Sequence, residues 1–480
     1  MRCPMHLRFP LAQLAKEQVE AIHAAALDIL ERFGVGVEDP QIADELATRG
    51  CVPLDNGRIR IPADVVERTL RNATPELAVS AVNGETRTLR AGTLCTHSTG
   101  GAPWMLDAAT GKRRAAATED LVACIRVMNR MDMLDFPCSL LYPTDMPDEI
   151  TQFLQAAALF RHSEKPVFWP GVSTPGNARY IAELFRLIGP CGADGNPPGL
   201  VGISPQSPLF WPKEITDATR LLAETGVPVS ILAAPMGGLT APMTVVGCVA
   251  QCHAEILAFA VYCRSVRPAL PLLYGARCFF PNMRSGQTIL GLPETGIAGG
   301  ISAQLAARIG LPSDIYGIAG GSCDFDEQTG YEKMLNGLIP ALSGANMITG
   351  FGSMASVMGG SPEQLVVDNE IVAMIRRTLR RCTVDERALG LEALAAVIEN
   401  GETFLEQEHT VDSLRDGEVF QPRLNFADSW QQRDEQPSLI AKAGGIVRDI
   451  LSKEVRPVLR DDQEAELQKL IAAARREFGV

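Results

Sequence analysis

The sequence lacks most of the signatures of metal-binding, redox or nucleic-acid-binding proteins. Its 12 cysteines are scattered singly without a CxxC pair, and it has six histidines. Lone cysteines in a long intracellular chain are usually reduced and buried as small apolar residues. The net charge is −13 and no block of Lys and Arg stands out. This charge balance indicates no nucleic-acid surface and disfavours contact with anionic membranes.

A membrane span and a secretion signal are also missing. No stretch is predicted to be a membrane span, which takes roughly 20 predominantly apolar residues. The N-terminal segment MRCPMHLRFPLAQLAKEQ interrupts its apolar residues with charges and prolines, where a signal peptide needs an unbroken apolar core. We therefore expect a cytoplasmic protein.

Residues 1–92 are predicted to form an N-terminal helical cap. The segment QVEAIHAAALDILERFGV places apolar residues at helical spacing and ends at Gly34. A second helix begins behind Asp39 and Pro40, RIRIP predicts a short strand, and ADVVERTLRNA predicts a third helix.

From residue 93 to 379 the pattern becomes a repeat of one short strand, one loop and one helix. The predicted strands are 94–97, 135–140, 167–169, 200–203, 229–232, 270–274, 314–318 and 346–349. The predicted helices are 118–131, 149–160, 177–187, 212–224, 245–262, 296–309, 328–342 and 362–377. Eight alternations predict an α/β protein whose core is a (β/α)₈ TIM barrel.

Residues 380–480 are predicted to form a mostly helical C-terminal extension. An irregular stretch between its helices carries Phe404, Phe420, Phe426 and Trp430. A polar linker would not need four aromatic residues, so we expect this stretch to pack on the barrel.

Aromatic residues gather after the predicted strands, although only 6% of the chain is aromatic. In a barrel, chemistry occurs at the carboxyl ends of the strands. The aromatic residues at these ends are Trp104, Tyr142, Trp169, Phe210, Trp211, Tyr274, Phe279, Phe280, Phe325 and Tyr331. Aromatic faces attract cations, so the set predicts a pocket for an apolar or cationic ligand. The structural alternative is that each ring fills the barrel rim.

The seventh strand leads into a polar loop, SDIYGIAGGSCDFDEQTGYE. Its glycines permit a turn, and Asp324, Asp326, Gln328 and Glu332 stand at the start of a helix. These polar residues are either functional groups at the barrel mouth or, for the acids, caps of the helix N-terminus. The AGGSC segment lacks both a GxGxxG pattern and a Walker lysine.

A zinc centre is the competing interpretation of the same loops. Cys278 follows strand six, Cys323 follows strand seven, and His97 closes strand one. The three residues have no ligand spacing in the sequence, so the zinc interpretation depends on the fold bringing them together.

Several segments, taken in order, resemble the trimethylamine:corrinoid methyltransferase family. They are HAAALDILERFGVGV, SPQSPLFWPKEITDA, AAPMGGLTAPMTVVGCVAQCHAEILA with LLYG after it, DFDEQTGYEKM, SPEQLVVDNEI and FLEQEHT. The founding members of that family carry pyrrolysine. This chain uses only the twenty standard residues, so it is similar to the branch without pyrrolysine, whose known substrates are quaternary amines such as glycine betaine.

The resemblance implies a (β/α)₈ barrel that binds no cofactor of its own. It also implies a quaternary amine substrate and a separate corrinoid protein that accepts the methyl group, and we expect a homo-oligomer. A quaternary ammonium leaves as a neutral amine, so Co(I) can attack its methyl carbon directly. Because the positive charge disappears at the transition state, a dry aromatic cage suits the reaction better than close carboxylates.

On this basis we assign residues to two groups. The substrate pocket is assigned to Tyr142, Trp211, Tyr274, Phe280, Phe325 and Tyr331. The catalytic group is assigned to Asp326, Gln328, Glu332 and His409, with no metal ligand. We expect Asp326 and Glu332 to act mainly by holding the seventh loop, and His409 to fold over the mouth.

Two alternatives remain open from the sequence. One is a zinc-dependent barrel methyltransferase that activates a thiolate or an alcohol. The other is a betaine-binding or assembly protein that has the fold without the catalysis.

Overall fold

The computed structural model describes residues 11–71, 73–171, 174–424 and 436–480. Three helices and two small sheets precede the main sheet. They are α1 (Lys16–Arg32), β1 (Val35–Val37), α2 (Pro40–Ala47), β2 (Val52–Pro53), β3 (Arg58–Arg60), α3 (Ala63–Leu70), β4 (Leu77–Ser80) and β5 (Thr86–Leu89). The Asp39 side chain caps α2 by accepting from the Gln41 amide at 3.0 Å, as the sequence predicts.

Alternating strands and helices follow, with short strands in several of the connecting loops. They are β6 (Cys95–Ser98), β7 (Trp104–Asp107), β8 (Lys112–Ala115), α4 (Thr118–Asn129), α5 (Thr151–His162), β9 (Val167–Trp169), α6 (Pro175–Ile188), β10 (Gly199–Ile203), β11 (Phe210–Trp211), α7 (Lys213–Thr225), β12 (Val229–Ala233), α8 (Val245–Val266), β13 (Leu272–Ala276), β14 (Phe280–Pro281), β15 (Thr288–Ile289), α9 (Pro293–Arg308), β16 (Ser313–Tyr316), α10 (Glu327–Leu342), β17 (Met347–Phe351), β18 (Ser353–Met354), β19 (Gly359–Gly360) and α11 (Pro362–Leu379).

Seven of these strands form one parallel sheet in the order β6-β17-β16-β13-β12-β10-β9. The sheet nearly closes into a barrel with the helices outside it. Each predicted strand other than the second appears within two residues of its predicted start. This agreement confirms the predicted alternation of strands and helices.

The predicted second strand, 135–140, does not form as a regular strand. It lies between β6 and β9, where the Phe136 amide donates to Thr96 O at 3.0 Å and the Phe168 amide donates to Pro137 O at 2.9 Å. Pro137 has no amide hydrogen and cannot donate to a neighbouring strand. The gap between β6 and β9 is therefore bridged by isolated hydrogen bonds.

Helix α8 is mostly apolar around its whole circumference. It is long and apolar enough to cross a membrane by composition, but 83% of its most apolar window is buried inside the protein. A helix that is hydrophobic all round and buried is a core helix. It contacts α1, α3, α7, α9, β12 and β13.

The hairpin β4–β5 covers the amino-terminal end of the barrel. Leu77, Val79 and Leu89 of the hairpin join a buried cluster with Phe168 and Met347 from the barrel strands. The Ser80 amide donates to Pro197 O at 3.0 Å, just ahead of β10. The hairpin therefore plugs one end of the barrel, and the other end carries the loops after the strands.

The C-terminal part contains α12 (Glu386–Leu389), α13 (Leu391–Asn400), α14 (Glu408–Arg415), α15 (Leu439–Ser452) and α16 (Asp461–Phe478). Helix α15 packs on α4 and α11, and α16 packs on α5 and α6. Tyr180 on α6 donates to Glu477 on α16 at 2.7 Å. Phe404 remains 48% exposed, while Phe426 and Trp430 lie outside the described residues.

A chain of hydrogen bonds joins α1 to the barrel. Glu67 on α3 lies 3.1 Å from His23 Nε2, His23 Nδ1 lies 2.9 Å from His253 Nε2, and His253 Nδ1 lies 3.0 Å from the Tyr274 hydroxyl. Burial holds the pKa of His253 well below its ordinary value. Burial also lowers the pKa of His23, and Glu67 opposes this shift. Both rings are therefore kept neutral in the folded protein.

This pairing predicts that acid destabilises the protein. The unfolded chain takes up protons on these histidines below about pH 6.5 and the folded chain does not, so stability is lost as pH falls through that value. We expect the melting temperature to drop between about pH 7.5 and about pH 5.5, and to drop less in the double variant His23→Gln, His253→Gln. His409→Gln serves as the matched control and should retain the full drop. An equal drop in all three proteins would contradict the prediction.

Candidate functional site

A buried ionic network lies inside the barrel near the carboxyl ends of the strands. The Asp314 carboxylate on β16 is fully buried. Arg277 Nη2 donates to its Oδ1 at 2.7 Å, His97 Nε2 lies 3.0 Å from the same oxygen, and Ser230 Oγ donates to Oδ2 at 2.7 Å. Burial alone would raise the pKa of Asp314, but the charge of Arg277 and the contacts with His97 and Ser230 hold it far below its usual range. The carboxylate is therefore ionised and fully engaged.

Two aromatic rings lie directly beside this network. The Arg277 guanidinium lies 5.6 Å from the centre of the Tyr316 ring. Tyr316 and Phe279 meet edge to face, with ring centres 5.2 Å apart. Leu290, Ala319 and Val357 complete this cluster. Because no charge is left unpaired between Arg277 and Asp314, the aromatic surface next to them is apolar and neutral.

Three buried polar atoms at this end of the barrel have no hydrogen-bond partner. They are Thr99 Oγ1, Trp169 Nε1 and the Tyr316 hydroxyl. Burial raises the pKa of Tyr316 to about 12, so the phenol stays protonated. The Thr99 hydroxyl and the Arg277 charge oppose this shift, and the two hydroxyl groups are near each other without meeting hydrogen-bond geometry. Unsatisfied buried polar groups are costly unless a ligand or water completes them. Each of the three lies at the end of a strand or one residue beyond it.

A cavity of about 290 Å³ opens at the ends of the first four strands. It is lined by Gly101, Ser139, Tyr142, Trp169 and Ser204 among others. Its volume is at the lower limit of the roughly 300–1,000 Å³ that small-molecule sites occupy. Tyr142, predicted from the sequence to contact substrate, lies in this cavity together with Trp169.

The acids of the seventh loop hydrogen-bond to the loop itself. Asp326 caps α10 by accepting from the Thr329 amide at 2.9 Å, and it accepts from Ser322 Oγ at 2.8 Å. Burial opposes these hydrogen bonds, but together they lower the pKa of Asp326. Glu332 accepts from the Gly321 amide at 2.6 Å and from Gln328 Nε2 at 2.8 Å.

The Glu332 carboxylate also fits against the neighbouring segment. A Cβ atom on Gly291 would lie 2.1 Å from Glu332 Cδ, so only glycine allows this approach. One residue further, Lys333 Nζ donates to Asp368 Oδ2 at 2.8 Å, and both side chains are fully buried. The Gly352 amide donates to the same carboxylate oxygen at 2.6 Å. These contacts connect the start of α10 to the ends of β16 and β17.

The predicted substrate residues occupy different places. Phe280 is buried, and its ring lies 2.9 Å from where a Cβ on Gly237 would stand. Phe325 is half-buried, and Tyr331 is 63% exposed on α10. Trp211 is buried against Phe259.

Two of these rings, and the histidine that was predicted to be catalytic, do not contact the buried ionic network around Asp314. Tyr274 turns toward α8, where its hydroxyl meets His253. Trp211 lies on β11, which pairs with β1 of the N-terminal part. His409 Nε2 lies 3.0 Å from Arg387 O, within the C-terminal helices. The roles assigned to all ten residues stay predictions.

The three residues of the zinc interpretation do not come together. His97 is bonded to Asp314 and to Ser98 O, Cys278 is buried, and Cys323 is exposed. Within the described ranges, no group of three or more His, Cys, Asp or Glu side chains is arranged to hold a metal ion.

Sequence reasoning missed Arg277, Asp314, Tyr316 and Phe279 as a group. One signal was available: Asp314 and Tyr316 are two residues apart on one strand, so they share a face. A charged residue inside an apolar strand is rarely buried without a partner, and that rule singles out Asp314. The identity of its partner depends on strand order, which the sequence pattern does not provide.

The network predicts a large stability effect for Asp314→Ala. This change leaves the buried Arg277 guanidinium without its carboxylate, so we expect the free energy of unfolding to fall by about 3–5 kcal/mol. The denaturation midpoint in urea measures the change. Asp194→Ala, at an exposed aspartate, is the matched control and should shift the midpoint little. Equal midpoints for the two variants would show that the network contributes no such stability.

Comparison with known proteins places the chain in a family. The chain is 27% identical over 475 residues to the glycine betaine methyltransferase of Desulfitobacterium hafniense (strain Y51), covering 97% of this chain and 98% of that protein. It is 26% identical over 414 residues to the trimethylamine methyltransferase MttB of Desulfitobacterium hafniense (strain DSM 10664 / DCB-2), covering 85% of this chain and 82% of that protein.

A solved structure shares the fold. The crystal structure of the Methanosarcina barkeri monomethylamine methyltransferase (MtmB) aligns with a TM-score of 0.54 at 12% identity, covering 92% of this chain and 90% of that one. The profile of the trimethylamine methyltransferase (MTTB) family matches residues 3–479. Because the match spans nearly the whole sequence, the chain is a methyltransferase that belongs to the trimethylamine methyltransferase (MTTB) family.

Proposed function

We propose that this protein moves a methyl group from a quaternary amine, glycine betaine or a related betaine, to the Co(I) corrinoid of a partner protein. The observation that carries the proposal is the neutral, aromatic surface beside the Arg277–Asp314 pair. Similarity to proteins named for glycine betaine and trimethylamine supports the substrate class. The absence of pyrrolysine from the sequence supports a quaternary rather than a tertiary amine.

The charge arrangement suits this chemistry. A quaternary ammonium loses its positive charge as the methyl group departs, so the transition state is less charged than the substrate. A free carboxylate would stabilise the bound substrate more than the transition state and slow the step. Here the Asp314 carboxylate is engaged by Arg277, His97 and Ser230. Aromatic faces attract the ammonium cation less strongly than a free carboxylate does, and they exclude water from it.

The unpartnered donors give a place for the carboxylate of a betaine. Thr99, Trp169 and Tyr316 each carry a buried neutral donor without a partner. Neutral donors bind a carboxylate without placing a positive charge near the ammonium group. We propose that they orient the substrate, that Tyr142 lines the adjoining cavity, and that Phe280, Phe325 and Tyr331 complete the aromatic cage.

The corrinoid is a co-substrate carried by the partner, and it supplies the strongly nucleophilic Co(I). The rim around the mouth is open at two glycines, which leaves room for a large group to approach. A Cβ on Gly101 would meet nothing within 4 Å, and at Gly171 the nearest atom would be 3.7 Å away. The chain's own task is to bind and orient the amine and to exclude water.

We further propose that the segment at residues 135–140, second in chain order, completes the eight strands of a (β/α)₈ barrel. Its hydrogen bonds to β6 and β9 support this assignment. On this division residues 1–92 form the cap, 93–379 the barrel and 380–480 the C-terminal extension, in a cytoplasmic protein.

The C-terminal part carries an exposed apolar surface that is available for association with another protein chain. Residues 384–419 carry exposed apolar side chains, among them Val384 at 81% and Leu405 at 83% exposure. Large exposed apolar surfaces mark protein–protein contacts. This surface supports the proposal of a homo-oligomer.

The proposed reaction predicts methylcobalamin formation from quaternary amines. The purified protein is mixed with free Co(I) cobalamin and, in turn, glycine betaine, proline betaine, carnitine, choline, γ-butyrobetaine or tetramethylammonium, and absorbance follows the methylated product. We expect turnover with at least one quaternary amine and none with trimethylamine. Tight binding of a betaine without any methylcobalamin would instead support a non-catalytic binding protein.

The variant Tyr316→Phe sharpens this test because it keeps the ring and removes the unpartnered hydroxyl. Loss of one hydrogen bond to a charged group raises KM about tenfold for substrates with a carboxylate. The KM for choline or tetramethylammonium should stay unchanged. The same rise for every amine would contradict a carboxylate contact.

The loop contacts predict a positioning role for Glu332. Glu332→Ala removes the acceptor for the Gly321 amide and for Gln328, so we expect faster hydrogen exchange at residues 317–326 and a fall in kcat/KM of about tenfold. Glu332→Gln retains an acceptor and should restore much of the activity. Glu327→Ala, at an exposed acid on the same helix, is the control. Lost activity with unchanged exchange would argue for a direct catalytic role instead.

A further inference from the structure

A second cavity lies on the opposite face of the molecule from the barrel mouth. Its volume is about 320 Å³, and it is lined by Arg49, Val65, Arg68, Thr69, Arg264 and Ser265 among others. Helix α8 starts after the carboxyl end of β12 and finishes ahead of β13. Arg264 and Ser265 in its last turn are therefore near the amino ends of the strands, and the cavity is separate from the proposed active site.

Arg264 is a buried cation without a carboxylate. Its residue is 7% exposed, its Nε has no hydrogen-bond partner, and its Nη1 donates to Thr69 O at 2.6 Å. Burial lowers the pKa of Arg264, and the group that opposes the shift is the Cys263 thiol rather than any carboxylate of the described chain. Buried charges are normally paired, so the missing counter-charge points to a ligand.

Two further guanidinium groups border the same space. Arg49 is exposed, and its Nη2 donates to Ser265 O at 2.8 Å. Arg68 pairs with Asp64, and its Nη2 donates to Arg49 O at 3.4 Å. Three cations thus share one carboxylate, in a protein whose net charge is −13.

Capping of helix ends explains only part of this arrangement. Arg264 and Arg49 each donate to a carbonyl at the end of a helix, Thr69 O and Ser265 O, which is a usual role for arginine. A guanidinium has five N–H donors in a planar fork that matches phosphate and carboxylate oxygens. Because each of these two guanidinium groups donates to only one such carbonyl, its other N–H donors remain available to the cavity.

We propose that this cavity is a binding site for a small phosphate-bearing anion, inorganic phosphate or a phosphate monoester, held between Arg264, Arg49 and Arg68. The cavity volume fits a small metabolite. Because Arg49 and Arg68 belong to the N-terminal part and Arg264 to the barrel helix α8, the anion joins the two. Its position at the amino ends of the strands gives it a stabilising or regulatory role rather than a catalytic one.

Thermal unfolding of the full chain tests the site. The buffer contains neither phosphate nor carboxylate, and sodium chloride keeps the ionic strength constant. Inorganic phosphate, glycerol phosphate and citrate are titrated in separate series. We expect a saturable rise in melting temperature with a phosphate compound, and an apparent dissociation constant about tenfold weaker in Arg49→Ala and in Arg68→Ala. Arg71→Ala, at an exposed arginine on the same segment, should bind as the unaltered protein does.

Each possible outcome of this experiment either supports the proposal or overturns it. No saturable rise with either phosphate compound overturns the proposal, as does a rise that is equal in Arg49→Ala, Arg68→Ala and the unaltered protein. Saturable binding of citrate alone overturns the phosphate assignment. Arg264→Met adds a third variant, and if it does not fold, Arg49 and Arg68 at the cavity edge still decide the question. Methyl transfer is not measured, so the result is independent of the proposed reaction.

Discussion

The ion pair between Asp314 and Arg277 is the constraint on which the mouth of the barrel depends. A carboxylate inside a barrel is stable only when its charge is matched close by. The register of β13 and β16 provides this match, because Gly275 pairs with Asp314 and Arg277 follows two residues later on the same face. A Cβ on Gly275 would lie 2.5 Å from Ile231 O. Because Ile231 belongs to β12, glycine at this position allows the close packing of β12, whose Ser230 also contacts the Asp314 carboxylate.

Much of the fold was predictable from the sequence, because the alternation of short apolar runs and amphipathic helices is local. The exception at residues 135–140 also has a local cause, since Pro137 removes a donor that a strand needs. The side chains of the site were harder to predict. Strands of a parallel barrel are apolar on both faces, so the sequence does not reveal which residues point inward. Tyr274 and Tyr316 both end apolar runs, yet Tyr274 turns to His253 and Tyr316 turns to Arg277.

The seventh loop combines both interpretations offered by its sequence. Its acids do cap and brace the start of α10, as the purely structural interpretation requires. By doing so they fix the segment that follows Tyr316, which lies against the ionic network. A rigid loop beside a neutral aromatic surface is what a reaction needs when the enzyme contributes position and environment rather than a reactive group.

The β4–β5 hairpin, which covers the amino-terminal end of the barrel, extends the barrel's hydrophobic core into the N-terminal part of the chain. Leu77, Val79 and Leu89 share one buried cluster with Phe168 and Met347 of the barrel. A chain shortened to residues 93–480 would expose that layer to water. Water would then reach the Asp314 network from the amino-terminal end of the barrel. The hairpin therefore shares its hydrophobic core with the barrel, although it precedes the first barrel strand. Recombination between relatives at residue 92 would separate two halves of one hydrophobic core.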